Sequence, residues 1–306
     1  MEALSEDGLQ KTKAGEDRRQ IGSRRFAPGD DEKPDARFFL PPSARSAQTD
    51  PSPVFPNLCL LIHGWGMDRR IWSPCLAALG NVAETRFVDL PGYGEAPDHG
   101  LDFAGTARFL ADSLPAGAIL CGWSLGALLA MQAALLSPRR VGGLILVGGT
   151  PCFIRRNGWT TAQSPAMLKK FSADVSDDSR TALRRFAALF NQGDATARLT
   201  ARAAVQGILS APPASATLLA GLDWLRDADL RERVPEIGCP TLLIHGECDP
   251  LMPLAAARWL AEKLPRARLD VFAGAAHAPF LNDPERFARL VGGFLHDIRT
   301  DQAARS

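Results

Sequence analysis

The sequence predicts a doubly wound, mostly parallel α/β sheet with an inserted helical cap. Three observations predict it. Short apolar runs alternate with helix-length patterns from residue 57 onward, and most of those runs lack the polar alternation of a half-exposed strand. One interval of about ninety residues, between two of the strands, reads as helices alone.

The chain has 306 residues, 46% of them hydrophobic and 23% charged, which is ordinary for a globular protein. Residues 1–56 stand apart. They are rich in Pro, Ser, Asp, Lys and Arg and contain no apolar core of the length a secretory leader needs. Such a stretch buries too little surface to offset the entropy of ordering it, so a disordered extension is expected. Phe38–Leu40 is its one candidate edge strand.

From Asn57 the expected strands are Leu58–Ile62, Arg86–Leu90, Ala118–Trp123, Gly143–Gly149, Thr241–Gly246 and Leu269–Ala273. Helical patterns fall between and after them at Ile71–Leu79, Asp102–Leu114, Leu125–Leu136, Leu254–Leu264 and Pro284–Ile298. The interval after Gly149 reads as helices near Ser164–Ser172, Asp178–Asn191, Ala195–Leu209 and Ala214–Asp227, with Pro212 and Pro213 between the last two. An insertion at a strand's C-terminal end sits over the ligand crevice of an open α/β sheet. The expected organisation is therefore a core of residues 57–150 and 236–300, with residues 151–235 as a cap.

Composition also limits the partners. A net charge of +1 gives no global attraction to nucleic acid or membrane, and no apolar run approaches the ~20 residues of a bilayer span. The six cysteines form no C-x-x-C pair, and Cys59 and Cys121 fall inside expected strands. That usage suits the reducing cytoplasm. A cytoplasmic monomer without metal or organic cofactor is the expectation.

Gly-Trp-Ser-Leu-Gly at 122–126 joins a strand to a helix. The order strand, cramped turn, helix holds a serine hydroxyl exposed at the tip of the turn, the geometry of a nucleophile elbow, so Ser124 is the candidate nucleophile. A Gly-rich turn with an idle serine is the alternative. A serine needs a base at neutral pH, and the base needs an acid to fix its tautomer. Of five histidines, His63 ends the first strand, His99 lies in a polar loop, His245 ends a strand and His296 is near the C-terminus. His277 follows the last strand in Gly-Ala-Ala-His-Ala-Pro-Phe and is the candidate base.

Asp249, after the preceding strand in Gly-Glu-Cys-Asp-Pro-Leu-Met-Pro, completes the order Ser, Asp, His. Glu247 competes; Asp249 is preferred because Pro250 and Pro253 stiffen its turn and its side chain is shorter. Asp89, in Asp-Leu-Pro-Gly-Tyr-Gly, is expected to organise its own loop. For an oxyanion the candidate donors are the amides of Leu125, which opens a helix, and of Trp65 in His-Gly-Trp-Gly. The Trp65 indole lines an acyl pocket on this reading, with plain core packing as the alternative.

His-Gly-Trp-Gly (63–66), Asp-Leu-Pro-Gly-Tyr-Gly (89–94), Gly-Trp-Ser-Leu-Gly (122–126) and Ala-Ala-His-Ala-Pro-Phe (275–280) resemble the α/β-hydrolases. The tryptophan before the nucleophile, Thr-Pro-Cys-Phe at 150–153 and the histidine segment resemble, more narrowly, the pimeloyl-[acyl-carrier protein] methyl ester esterases of biotin synthesis. The likeness runs from about Leu58 to Leu295. It implies a serine carboxylesterase acting on a methyl ester borne by acyl-carrier protein, with Ser124, Asp249 and His277 as triad. It also implies substrate contacts from Trp65, Ser124, Leu125, His277 and the cap run Phe186, Ala187, Ala188, Leu189 and Phe190. Rival readings are a short-chain carboxylesterase, a carbon–carbon bond hydrolase and a non-catalytic acyl or carrier-protein binder.

Three positions depart from the pattern. Phe190 stands where a glutamine is expected, Ala127 stands where a second glycine is usual, and nothing before Leu58 matches. Residues 180–202 carry Arg180, Arg184, Arg185, Arg198 and Arg202 against one acid, Asp194. Such a face suits an acidic carrier protein. The resemblance implies Arg180, Arg185, Arg198 and Arg202 as the docking set, and a solvated helix face is the alternative.

Overall fold

The order of six parallel strands sets where the chain brings its motifs together. The computed structural model describes residues 58–80 and 84–304. The strands are β1 (Leu58–Ile62), β2 (Glu84–Val88), β3 (Ala118–Trp123), β4 (Val141–Val147), β5 (Thr241–Gly246) and β6 (Ala267–Phe272). Their order is β2-β1-β3-β4-β5-β6, every neighbouring pair parallel. The chain moves outward from β1 to β2, then returns across β1 to β3. The switch point is thus the C-terminal ends of β1 and β3, where open α/β sheets place a ligand crevice. The expected extension of residues 1–56 and its edge strand Phe38–Leu40 lie outside the described residues.

Interior and edge strands differ as their sequences do. β1, β3 and β5 are buried at every position because helices cover both faces. The edge strands β2 and β6 are only partly buried. There the apolar-run reading erred: it began β2 at Arg86 and β6 at Leu269, whereas pairing starts at Glu84 and Ala267. An edge strand tolerates polar side chains, so hydrophobicity does not mark its ends. β4 likewise runs from Val141 rather than Gly143 and ends at Val147, because the ladder includes the lead-in valine and the two glycines after Val147 turn away.

The helices are α1 (Leu76–Gly80), α2 (Phe103–Asp112), α3 (Leu125–Leu136), α4 (Pro165–Leu189), α5 (Ala195–Ser210), α6 (Ser215–Asp227), α7 (Leu254–Lys263), α8 (Pro279–Asn282) and α9 (Pro284–Ala303). The expected helix Ile71–Leu79 is a 3₁₀ stretch, Arg69–Cys75, followed by α1. Pro74 has no N–H to give an α-helical ladder. Helix α3 is buried from Leu125 through Ala134, packed between β3, β4 and α2. A helix apolar on all sides belongs at such a centre.

Helices α4, α5 and α6 fall between β4 and β5, with only isolated bridges such as Cys152 to Asp229 beside them. The first begins at Ser164, whose hydroxyl accepts the Met167 N–H at 3.1 Å, with Pro165 in the first turn. At Asp178 the backbone leaves helical geometry (φ −144°, ψ 88°), and its carboxylate accepts the Thr181 N–H at 3.0 Å. This kink joins the two helices expected at 164–172 and 178–191 into one bent rod. All six cysteines are free thiols. Among the described residues no helix is long and apolar enough to cross a membrane, and no group of residues fit to hold a metal ion occurs.

Candidate active site

Ser124 begins at the end of β3, and the turn holding it is strained. It is the one non-glycine residue with positive φ (58°) among the described residues, a conformation rare for an L-residue and concentrated at functional sites. Its N–H donates to Val147 O at 2.9 Å, anchoring the turn to β4. As the residue preceding α3, a serine would normally cap the helix with its hydroxyl. Here the side chain makes no cap bond, so the oxygen is left for other work.

Two glycines make the turn possible by close approach. A Cβ on Gly126 would lie 2.5 Å from Ile62 O and 2.6 Å from His63 O, and one on Gly122 would collide with the backbone at Gly126. Helix α3 therefore sits directly on the end of β1, which brings the His63–Gly66 loop beside the serine. A Cβ on Gly64 would sit 3.1 Å from the Ser124 Cβ. The Leu125 N–H opens α3 and has no acceptor a turn earlier in its own helix.

His63 holds that loop in place. It is buried, its Nδ1–H donates to Gly64 O at 2.8 Å, and its Nε2 accepts the Leu90 N–H at 3.0 Å. The second bond requires the neutral ring. Burial lowers its pKa, against the opposing pull of the Gly64 carbonyl and the charges of Asp89 and Asp68. Asp89 organises its own loop as expected, accepting the Glu95 N–H at 3.2 Å, and also ties that loop to the 3₁₀ stretch by accepting the Arg69 N–H at 2.8 Å.

His277 and Asp249 meet across 28 residues of chain. Nδ1 of His277 lies 2.7 Å from Asp249 Oδ2, with both side chains fully buried. A carboxylate only accepts, so Nδ1 carries the hydrogen, and in the neutral ring the lone pair is then on Nε2. That Nε2 is buried and makes no hydrogen bond, to the Ser124 hydroxyl or to any other group. The ring lies against the elbow: Trp123 Nε1 donates to His277 O at 2.9 Å, and the Trp123 and His277 ring centroids are 5.5 Å apart.

Asp249 Oδ1 accepts the N–H groups of Leu251 and Met252, each at 2.8 Å. Burial alone would raise this carboxyl; attraction to the His277 ring in its protonated form and the hydrogen bond from it, with His245 and the Met252 amide, outweigh burial and lower the pKa. Glu247, the competing acid, turns instead to the Gly274 N–H at 3.0 Å and is exposed. His245, given no role from sequence, is buried with Nε2 donating to Met252 O at 2.7 Å and lying 3.5 Å from Asp249 Oδ2. Burial lowers its pKa, partly offset by Asp249.

A cavity of about 50 Å³ lies over Ser124. Trp65, Phe186 and Leu189 line it, with Met167, Phe171 and Leu222, and Ser124 supplies its polar floor. Trp65 is both packed and placed at the site: Nε1 donates to Leu218 O at 2.7 Å, and its ring meets Phe186 edge-on at 4.9 Å. The run expected to contact substrate divides. Ala187 and Ala188 face a separate open groove of about 530 Å³. Phe190 is fully buried against Trp123, 5.4 Å between centroids, beneath the cavity rather than in it. On a helix, residues three apart share a face, and 187 and 188 fall on the other.

The groove holds Arg180, Arg198 and Arg202 of the expected arginine set, together with Arg184. Arg185 departs from that set: it lies outside the groove, 4.0 Å from Asp174. Arg184 faces the groove because it follows Arg180 by four residues, and Arg185 is rotated onward.

The alpha/beta hydrolase family model matches residues 59–290. Two relatives bear the name pimeloyl-[acyl-carrier protein] methyl ester esterase. The one from Nitrosomonas europaea is 40% identical over 234 residues, covering 76% of this chain and 92% of its own. The one from Aromatoleum aromaticum is 40% identical over 244 residues, covering 77% and 96%. Among solved structures, an esterase from Exiguobacterium antarcticum superposes with a TM-score of 0.70 at 25% identity, over 78% of this chain and 92% of that one. A bromoperoxidase from Bacillus anthracis shares the fold with a TM-score of 0.70 at 19% identity, over 78% and 92%.

Proposed function

Because the chain belongs to the alpha/beta hydrolase family and, within it, to the pimeloyl-[acyl-carrier protein] methyl ester esterases, we propose that it hydrolyses the methyl ester of pimeloyl-acyl-carrier protein with Ser124 as nucleophile. The observation that carries the reading is the strained Ser124 turn beside a buried His277–Asp249 pair whose Nε2 is unengaged.

The chemistry runs in two steps. Ser124 Oγ attacks the ester carbonyl while its proton passes to His277 Nε2, and Asp249 stabilises the resulting imidazolium. The Trp65 and Leu125 amides take the negative charge that develops on the carbonyl oxygen. Collapse expels methanol, which takes its proton from His277, and leaves an acyl-serine. Water then attacks the acyl group as His277 removes its proton; Ser124 recovers a proton and the free acid departs. Catalytic hydrogen bonds are often open without substrate and close in the complex, which accounts for an unengaged Nε2 in the free protein.

Residues 151–235 act as a cap in this reading. The cavity over Ser124 is well below the ~300–1,000 Å³ of ordinary ligand pockets, so the cap helices part to admit the acyl chain. Its apolar lining suits the methylene chain and the uncharged ester, and the carboxylate product is less favoured there. The relatives' names include an acyl-carrier protein, and in this reading the arginine groove on the outer face receives such an acidic partner. The test is methanol release from carrier-bound pimeloyl methyl ester: the parent releases it, and Ser124→Ala does not. Normal release by Ser124→Ala overturns the reading.

A further inference from the structure

The loop that bears His277 is tied to the cap by two hydrogen bonds from its backbone N–H groups. His277 N–H donates to Phe190 O at 3.1 Å, and Ala276 N–H donates to Asp194 Oδ2 at 3.2 Å. Asp194 is 3% exposed and collects donors from three elements. Its Oδ1 caps α5 by accepting the Ala197 N–H at 2.8 Å. Asn282 of α8 reaches both oxygens through Nδ2, at 3.1 Å each.

A helix cap needs one acceptor, and a serine hydroxyl serves as well as a carboxylate. The second oxygen of Asp194 is therefore surplus to capping and is spent on the residue before His277. Histidine placement matters because a displacement of about 1 Å from productive geometry lowers a rate by about 10²-fold. His277 is already held on one side by Asp249 through Nδ1 and on another by Trp123 through its carbonyl. The clamp at Ala276 fixes the backbone from the cap side.

We infer that Asp194 is a positioning residue for His277, joining the cap to the base through a buried carboxylate clamp. The inference rests on the reading of His277 as the base. It also makes the turn 190–194 a shared piece: Asn191 and Arg198, on either side of Asp194, line the arginine groove.

Asp194→Ser separates the two tasks. Its hydroxyl still caps α5, but the shorter side chain does not span to Ala276 and Asn282. Expected for the folded variant is a kcat on p-nitrophenyl acetate at least about tenfold below the parent, with KM within about twofold. The downfield proton resonance of His277 Nδ1–H, read by NMR, is expected to shift or broaden. Asp194→Asn is the companion variant in case serine prevents folding; its oxygen keeps the cap while its NH₂ opposes the Ala276 N–H, and the same losses are expected. Asn282→Ala, which leaves the clamp in place, is expected to keep kcat within about twofold. A folded Asp194 variant with parental kcat and an unchanged resonance overturns the inference. If the parent itself hydrolyses no ester, the functional reading fails, while the resonance still reports on the clamp.

Discussion

The two faces of the C-terminal half of α4 are built for opposite purposes. Inward, Phe186 and Leu189 close an apolar cavity of about 50 Å³ over Ser124. Outward, Ala187 and Ala188 floor a groove of about 530 Å³ edged by Arg180, Arg184, Arg198 and Arg202. On the function proposed above, one helix, read at two phases, would separate the reacting end of a substrate from its carrier. Small residues keep the groove open, and large ones shut the cavity. The lesson is that positions one residue apart on a helix line different cavities and can be perturbed separately.

The largest expected effects sit on the inner side. Ser124→Ala should lower kcat by about 10⁴-fold or more, measured with p-nitrophenyl butyrate, with the fold unchanged by circular dichroism. Asp249→Asn should lower kcat by about 10³–10⁴-fold, because the amide no longer fixes Nδ1–H on His277. On the outer side, Arg198→Glu with Arg202→Glu should raise KM for the carrier-bound ester by about tenfold or more and leave the small ester within about twofold. That increase should shrink as salt rises. Equal effects on both esters would erase the division between the faces.

Smaller effects are expected in stability. Phe186→Ala should destabilise by about 3–4 kcal/mol, read as a lower midpoint in urea, and should widen the range of acyl chains accepted. His63 and His245 are both held below their ordinary value of 6.5, chiefly by burial. The unfolded chain therefore binds protons that the folded one refuses, so stability is full above about pH 6.5 and falls as pH drops below it. Asp249, lowered as well, adds a loss at lower pH, as the medium falls through its folded value. A urea midpoint flat from pH 7 to pH 5 would contradict this assignment.

Much of the site was legible because its parts are local. The elbow, the loop after β1 and the histidine loop each announce themselves within six residues, and the sheet's chain order puts them on one rim. Asp249 was separated from Glu247 by turn stiffness and reach, and the structure gives each a distinct partner. The groove is half legible in sequence: residues 180–202 carry five arginines against one acid, and the four-residue spacing of Arg180 with Arg184 and of Arg198 with Arg202 puts each pair on one helix face. Which face of α4 turns inward depends on packing against Trp65 and α6, so the roles of Ala187, Ala188 and Phe190 were not readable from the run itself. The Asp194 clamp spans 82 residues to Ala276, and no local pattern signals it. Polar edge strands hid the starts of β2 and β6 for the same reason that they tolerate solvent.

Peptide mapping by mass spectrometry after treatment with a fluorophosphonate tests the central claim most directly. The account predicts one stoichiometric adduct, on Ser124, formed quickly by the parent and very slowly by His277→Ala. An adduct on a different residue, or labelling of Ser124 that is indifferent to the loss of His277, would contradict it.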